Sequence, residues 1–262
     1  MIIELIYPSL IIAALIAITA GLLSCFIVWR RMAFFADALS HSAILGTSIA
    51  LLASIDILWG LIGYGMVVAL SLSYFSKKIH ISSDTFLAII SQTSLAIGLL
   101  ALSFLPQQFS IDALLFGDIL AVSNKDIPAT AVITTTITLL IWRFHEGLIR
   151  LCLDEELAQT EGLNIHFYKT LLMLMLVALI ATAIQLLGVL LVSTLLLIPA
   201  ATARSFAKSP SHMLLLAPVI ALIASGSGIA LSIQFDKIMT SPAIVVSAAT
   251  LWAASLVHKN TQ

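Results

Sequence analysis

The sequence predicts an all-α, polytopic membrane protein with about nine transmembrane helices, eight being the alternative count. Three observations carry this. Of 262 residues, 61% are hydrophobic and 10% charged, and the mean hydropathy is +1.14. Soluble domains run at ~45–50% apolar and ~25% charged, so a water-exposed surface of this composition would precipitate. The apolar residues also fall in continuous runs near the ~20 residues that a helix needs to cross a ~30 Å hydrocarbon core, not in the alternating segments of a membrane β-barrel. Finally, the basic residues segregate to one side of the runs, as cytoplasmic loops require.

Taken in order, the first run, 5–29, has no basic segment before it and is too long for a cleaved signal, so it reads as a retained helix. Run 33–53 follows Arg30 and Arg31. Runs 57–76 and 85–105 flank Lys77 and Lys78, and run 127–142 lies between an outer connection, 106–126, and a cytoplasmic one, 143–169. The next 34 residues, 170–203, would span about 51 Å as one helix. Gln185 and Gly188 stand mid-stretch and divide it into 170–187 and 188–203. Runs 213–234 and 243–257 complete the set. With nine spans, Arg30, Arg31, Lys77, Lys78, Arg143, Arg150, Lys169, Arg204, Lys208 and Lys259 share one side against Lys125 and Lys237, 10 to 2. Eight spans give 8 to 4. The nine-span order, N-terminus outside and C-terminus in the cytoplasm, is therefore preferred. Without a Ser/Gly-rich linker, residues 1–262 are expected to be a single transmembrane domain with a cytoplasmic amphipathic segment at about 143–169.

Several classes are excluded. A net charge of −1 rules out nucleic-acid binding by basic charge. Cys25 and Cys152 cannot frame a disulfide scaffold. No GxxxxGK[ST] phosphate loop is present, so this chain does not bind ATP in that way. His145-Glu146 opens like HExxH, but position 149 is Ile, which removes the metalloprotease motif. His80, His166, His212 and His258 fall in loops or at ends. Asp112, Asp118 and Asp126 make an acidic outer segment, read as a solvated loop. Gln92 and Gln185 are expected to hydrogen-bond between helices, and Cys25 to be a small packing residue.

An ionisable residue inside a span is costly and points to function. Asp37 and His41 lie four apart in the second run, on one helical face, roughly 9 and 15 Å along the helix from Arg31. A carboxylate and an imidazole at this spacing form half of a site for a first-row divalent metal, and a two-fold dimer would supply the four ligands zinc prefers. Beside them Ala33, Ala36, Ser40, Ala43, Thr47 and Ala50 permit close helix approach. The alternative is a hydrogen-bonded Asp–His pair that only ties helices together. Pro199, Gly188, Gly226 and Gly228 are candidate bend points.

In the cytoplasmic segment, Asp154, Glu155, Glu156 and Glu161 surround Leu153, Leu157 and Ala158. Glu156-Leu157-Ala158-Gln159-Thr160-Glu161-Gly162 resembles the E-A-A-x-x-x-G loop of ABC-transporter permeases, with Leu157 in the second place. An interfacial helix on lipid headgroups is the alternative reading of the same residues. Three further stretches extend the likeness over essentially the whole chain: RRMAFFADALSHSAILG (30–46), FGDILAVSNKD (116–126) and LLLIPAATARSFAK (195–208). Together they resemble the permease subunits of bacterial ABC importers for zinc, manganese or iron, and are most similar to the zinc-uptake permeases of Gram-negative bacteria.

The resemblance implies the helical importer fold of the vitamin B12 and siderophore permeases, and a multi-pass protein of the bacterial inner membrane that is not itself an enzyme. It implies a second copy of the chain, a cytoplasmic ATP-binding subunit and a periplasmic zinc-binding protein as partners. Zinc would be the transported ion rather than a tightly bound cofactor. Carried onto this sequence, the intramembrane ligands are Asp37 and His41, and the ATPase-coupling residues are Asp154, Glu155, Glu156, Leu157, Ala158 and Gly162. The alternatives are a manganese or iron permease, or a proton-coupled carrier using Asp37 and His41 as a relay.

Overall fold

The computed structural model describes residues 2–75, 83–104, 117, 119, 122–235 and 238–260, and holds no strand among them. The helices are α1 (Ile2–Trp29), α2 (Ala33–Leu52), α3 (Ile57–Phe75), α4 (Ser83–Ser103), α5 (Asp126–Leu153), α6 (Glu155–Thr160), α7 (Ile165–Leu187), α8 (Val189–Leu195), α9 (Ile198–Phe206), α10 (Pro210–Gln234) and α11 (Thr240–Asn260). Among the described residues, eight helical stretches are long and apolar enough to cross a membrane, with Val189–Phe206 counted as one, and Ile57–Leu72 is a shorter apolar ninth. Each of the nine expected runs thus has its helix. Lys77, Lys78, His80, Asp112, Asp118 and Lys237 lie outside the described residues.

The largest boundary difference is in α5, expected to end at 142 and observed to continue to Leu153. Hydropathy senses where hydrocarbon ends, not where the helix ends. Beyond the apolar stretch one face stays buried through Gly147, Leu148 and Leu151, so the helix persists as an amphipathic extension.

Local chemistry sets the ends. Asn164 Oδ1 accepts the Phe167 N–H at the start of α7, and Ser209 Oγ accepts the His212 N–H ahead of Pro210 at the start of α10, both ordinary N-caps. Helix α1 ends with Arg31 at φ 54°, while the Met32 N–H reaches Ile27 O and the Arg31 N–H reaches Val28 O. This is a Schellman closure built on arginine instead of glycine, leaving only three residues between α1 and α2.

Gly188 decides the chain order. Its φ of 81° and ψ of 163° lie where essentially only glycine is found, and it separates α7 from α8 without a longer loop. Contacts at the two ends show that the chain turns back here. Ser241 Oγ, at the start of α11, donates to Leu187 O, whereas Ser205 in α9 meets Ser255 near the end of α11. The α8–α9 pair therefore runs parallel to α11. Helix α7 starts beside the C-terminal end of α5, where a Cβ on Gly147 would strike the Tyr168 ring. It runs opposite to α5, and α5 runs with α1 through Thr19–Thr138 and Arg30–Leu151 contacts. This is the order that the nine-span charge count favours. Of the candidate bend points, Pro199 sits in the first turn of α9, where proline costs little, and Gly228 is packed against the Ile244 backbone.

Helix α2 is central, packing on α3, α4, α7 and α8. A Cβ on Gly98 would stand 2.7 Å from Leu45 N, so glycine is what lets α4 lie directly on α2. Ser48 Oγ donates to Gly98 O at 2.9 Å across that contact.

Candidate functional site

The small residues of α2 are spent inside the subunit. Ala36, Ser40, Ala43, Thr47 and Ala50 are all buried. What α2 leaves uncovered is a stripe of Phe34, Ile49 and Leu52, exposed by 52%, 42% and 57%, with Asp37 and His41 half-buried between them. At the helical period these five positions share one face. The only two ionisable side chains of α2 therefore stand half-exposed in its first half, on a face that α4 covers further along at Leu45 and Ser48.

His41 Nε2 lies 3.4 Å from Asp37 Oδ1. That is longer than an ordinary N–H···O hydrogen bond of 2.7–3.2 Å. It equals the donor separation of about 3.4 Å that a tetrahedral ion demands with bonds of ~2.0–2.2 Å. An octahedral ion with bonds of ~2.1 Å at right angles asks for about 3.0 Å. Because both groups belong to one helix, their pairing does not tie two helices together. The other ring nitrogen, Nδ1, is buried without a hydrogen-bond partner, so packing rather than a second acceptor holds the imidazole. Among the described residues no group of three His, Cys, Asp or Glu side chains could hold a metal. One chain presents two donors.

The 143–169 segment is a second structured element. Asp154 Oδ1 accepts the N–H groups of Glu156 and Leu157 at 3.0 Å, capping α6. At its other end Gly162, at φ 84°, closes a Schellman motif, with the Leu163 N–H on Ala158 O and the Gly162 N–H on Gln159 O. Six residues could not hold a helix in water alone; both ends are chemically pinned. Ala158 is buried, while Leu153 and Leu157 are 68% and 56% exposed and, with Arg150, Asp154 and Glu161, border a surface cavity of about 520 Å³. An apolar pair ringed by charges suits a protein partner better than lipid.

Glu155 turns the other way. Its carboxylate accepts from Arg30 Nη1 at 3.1 Å and pairs with Lys169, and Arg30 Nη1 also donates to Leu151 O at 3.2 Å. Partial burial raises the Glu155 pKa, but the bonds from Lys169 and Arg30 outweigh it and leave the carboxyl below its usual range. Sequence reading grouped Glu155 with its outward neighbours. Its partners lie far along the chain, and no local pattern announces them.

The remaining polar candidates resolve simply. Gln92 and Gln185 are exposed rather than bonded between helices. His145 Nδ1 meets Trp142 O at 2.8 Å in an exposed position, and His212 caps the turn before α10. Asp126 accepts the Ser123 N–H. Cys25 is buried, its thiol against Gly21 O and Met213 O.

A family model described as the ABC 3 transport family matches residues 2–259. The chain is 34% identical over 260 residues to the high-affinity zinc uptake system membrane protein ZnuB of Buchnera aphidicola, covering 98% of each chain. It is 32% identical to the manganese import system permease protein ScaB of Streptococcus gordonii, over 92% of this chain and 86% of that one. Among solved structures, PsaBC from Streptococcus pneumoniae in complex with Fab aligns with a TM-score of 0.87 at 32% identity, over 97% of this chain and 95% of that chain. An inward-facing putative metal-chelate type ABC transporter shares the fold, with a TM-score of 0.70 at 18% identity over 96% and 85%.

Proposed function

This chain belongs to the ABC 3 transport family, and from that premise we propose that it is the permease of an ATP-driven zinc importer of the bacterial inner membrane. It is a multi-pass ABC permease, and such permeases work with a separate ATP-binding subunit and a substrate-binding protein. In this reading residues 1–262 form one transmembrane domain that pairs with a second copy of itself. ATP is hydrolysed on the partner subunit, and zinc passes as cargo rather than as a resident cofactor.

The observation that carries the reading is the pairing of His41 Nε2 with Asp37 Oδ1 at 3.4 Å, both side chains half-exposed in the first half of α2. Two copies facing across a two-fold axis bring together two carboxylates and two imidazoles, a complete tetrahedral set. Conduction needs a site that binds and then releases. A four-donor site split between subunits does both, since moving the copies apart leaves two weak half-sites. The capped α6 helix supplies the handle: Leu153, Leu157 and Glu156 face outward toward the ATP-binding subunit, while Ala158 anchors the helix to the bundle.

Manganese is the second reading, favoured by the 32% identity to a manganese permease over 92% of the chain. Zinc is preferred because the zinc-uptake membrane protein ZnuB of Buchnera aphidicola is 34% identical over 98% of the chain, against 32% over 92% for the manganese permease. Family membership removes the ground for a proton-coupled carrier. The test is metal uptake by proteoliposomes holding the permease, the ATP-binding subunit and the binding protein. Zinc uptake is expected to need ATP, to fall at least tenfold in Asp37→Ala and His41→Ala, and to withstand a tenfold excess of manganese. Manganese uptake that outcompetes zinc would assign the second reading.

A further inference from the structure

The α6 helix is held to the membrane helices by buried Ala158, by the Arg150–Glu161 pair and by one carboxylate that reaches furthest. Glu155 binds Arg30, which follows the last turn of α1, and Lys169, in the second turn of α7. Arg30 is held in turn to Leu151 O at the end of α5. Four elements thus meet at a single side chain, which lies on the wall of a cleft of about 600 Å³ also lined by Arg31, Asp84 and His166. Both partners lead to the α2 site. Arg30 belongs to the three-residue turn into α2, whose Schellman bonds and left-handed Arg31 leave it little slack, and Asp37 follows within the next two helical turns. Lys169 stands on α7, which packs along α2 and α3. The α6 backbone is fixed by the Asp154 cap and the Gly162 closure, so a push on its outer face moves the Glu155 carboxylate rather than unwinding the helix.

We propose that Glu155 is a positioning residue, the joint through which displacement of α6 by the ATP-binding subunit reaches the Asp37–His41 half-site by way of Arg30 and Lys169. This rests on the reading of α6 as the docking helix. Lys and Arg serve different arms: the planar guanidinium of Arg30 bridges Glu155 and a backbone carbonyl at once, which an ammonium does with less directional constraint. Removing the carboxylate charge disconnects both arms while leaving the caps and the buried Ala158 in place.

The experiment uses the reconstituted complex of permease, ATP-binding subunit and binding protein. It reads three quantities: zinc moved per ATP hydrolysed, co-purification of the ATP-binding subunit, and the thermal midpoint of the complex. Glu155→Gln is expected to lower zinc moved per ATP at least fivefold, and Glu155→Asp to recover part of the loss. Leu157→Arg, on the outer face, is expected to lose the ATP-binding subunit. If Glu155→Gln keeps the wild-type ratio, or if transport and hydrolysis fall in proportion with the thermal midpoint, the joint is overturned. If Leu157→Arg retains the subunit, the placement of the docking helix fails, and the joint fails with it. Should Glu155→Gln not assemble, Lys169→Met cuts one arm alone and is expected to lower the same ratio at least twofold; an unchanged ratio there overturns the proposal equally.

Discussion

Asp37→Glu isolates geometry from charge. It keeps the carboxylate and extends it by one carbon–carbon bond, about 1.5 Å. The native donors are 3.4 Å apart, which matches a tetrahedral bite with bonds of ~2.0–2.2 Å. Where the longer side chain returns its oxygen to that place by leaving a staggered rotamer, the cost is about 0.5–1.5 kcal/mol. A two-fold site contains the change twice, so the loss is about 1–3 kcal/mol, or 5- to 150-fold in zinc affinity at ~1.4 kcal/mol per decade. The assay is chelator competition for zinc on the purified complex, paired with initial uptake rates in proteoliposomes. Asp37→Asn completes the comparison, keeping an oxygen in place without its charge. Weakened zinc binding in Asp37→Glu is expected. If Asp37→Glu binds and transports as the native protein does while Asp37→Asn is dead, the residue needs its carboxylate but not a fixed donor separation, and the argument from the 3.4 Å spacing is refuted.

Three other outcomes follow from particular contacts. Gly188→Ala places a Cβ in a backbone region reserved for glycine and is expected to cost about 1–3 kcal/mol, read as a lower thermal midpoint in detergent; an unchanged midpoint would contradict the turn. Glu155 has a folded pKa below its unfolded value of 4.5, so its ion pairs stabilise α6 above that value and are lost as pH falls through the lower folded one. Its side chain is 38% exposed, which keeps the effect below ~1 kcal/mol. Amide exchange of residues 155–160 is expected to quicken at acid pH beyond the intrinsic rate, and Glu155→Gln to abolish that dependence. A cysteine at Lys208 is expected to react only with reagents applied from the cytoplasm, and labelling from outside would restore the eight-span order.

How much of this the residues announced depends on whether the cause is local. Membrane-spanning runs are set by hydrocarbon thickness, so nine helices were legible with ends within a few residues wherever polarity and helix end coincide. At α5 they part, because the helix leaves the membrane and continues with one face buried against Tyr168. The turn at Gly188 was visible as a glycine after a glutamine, yet charge counting rather than the glycine settled its direction. The Asp37–His41 pair was legible because four residues make a helical turn. Its exposure was not: the small residues beside it could equally have lined a dimer interface, and only packing shows them consumed by α3, α4 and α7.

The same distinction explains why the two ends of the mechanism read so differently. The proposed cargo site needs one helix and one period, so it is written in a pentad. The proposed coupling path needs Glu155 to find Arg30 and Lys169, 125 and 14 residues away, and one acid in the run Asp154-Glu155-Glu156 carries no trace of that. Charge economy connects the two. In a chain with 10% charged residues, each ion pair held near the membrane displaces hydration and must be offset by its partner. Among the described residues the chain keeps a half-exposed carboxylate–imidazole pair within α2, the proposed metal half-site, and a carboxylate bridging two cations beside α6. An open pair can bind cargo and a closed one can carry force. The exposure of Asp37 and the bidentate engagement of Glu155 therefore suit them to the different roles proposed for them, one beside a histidine a helical turn away and the other between two acids in the sequence.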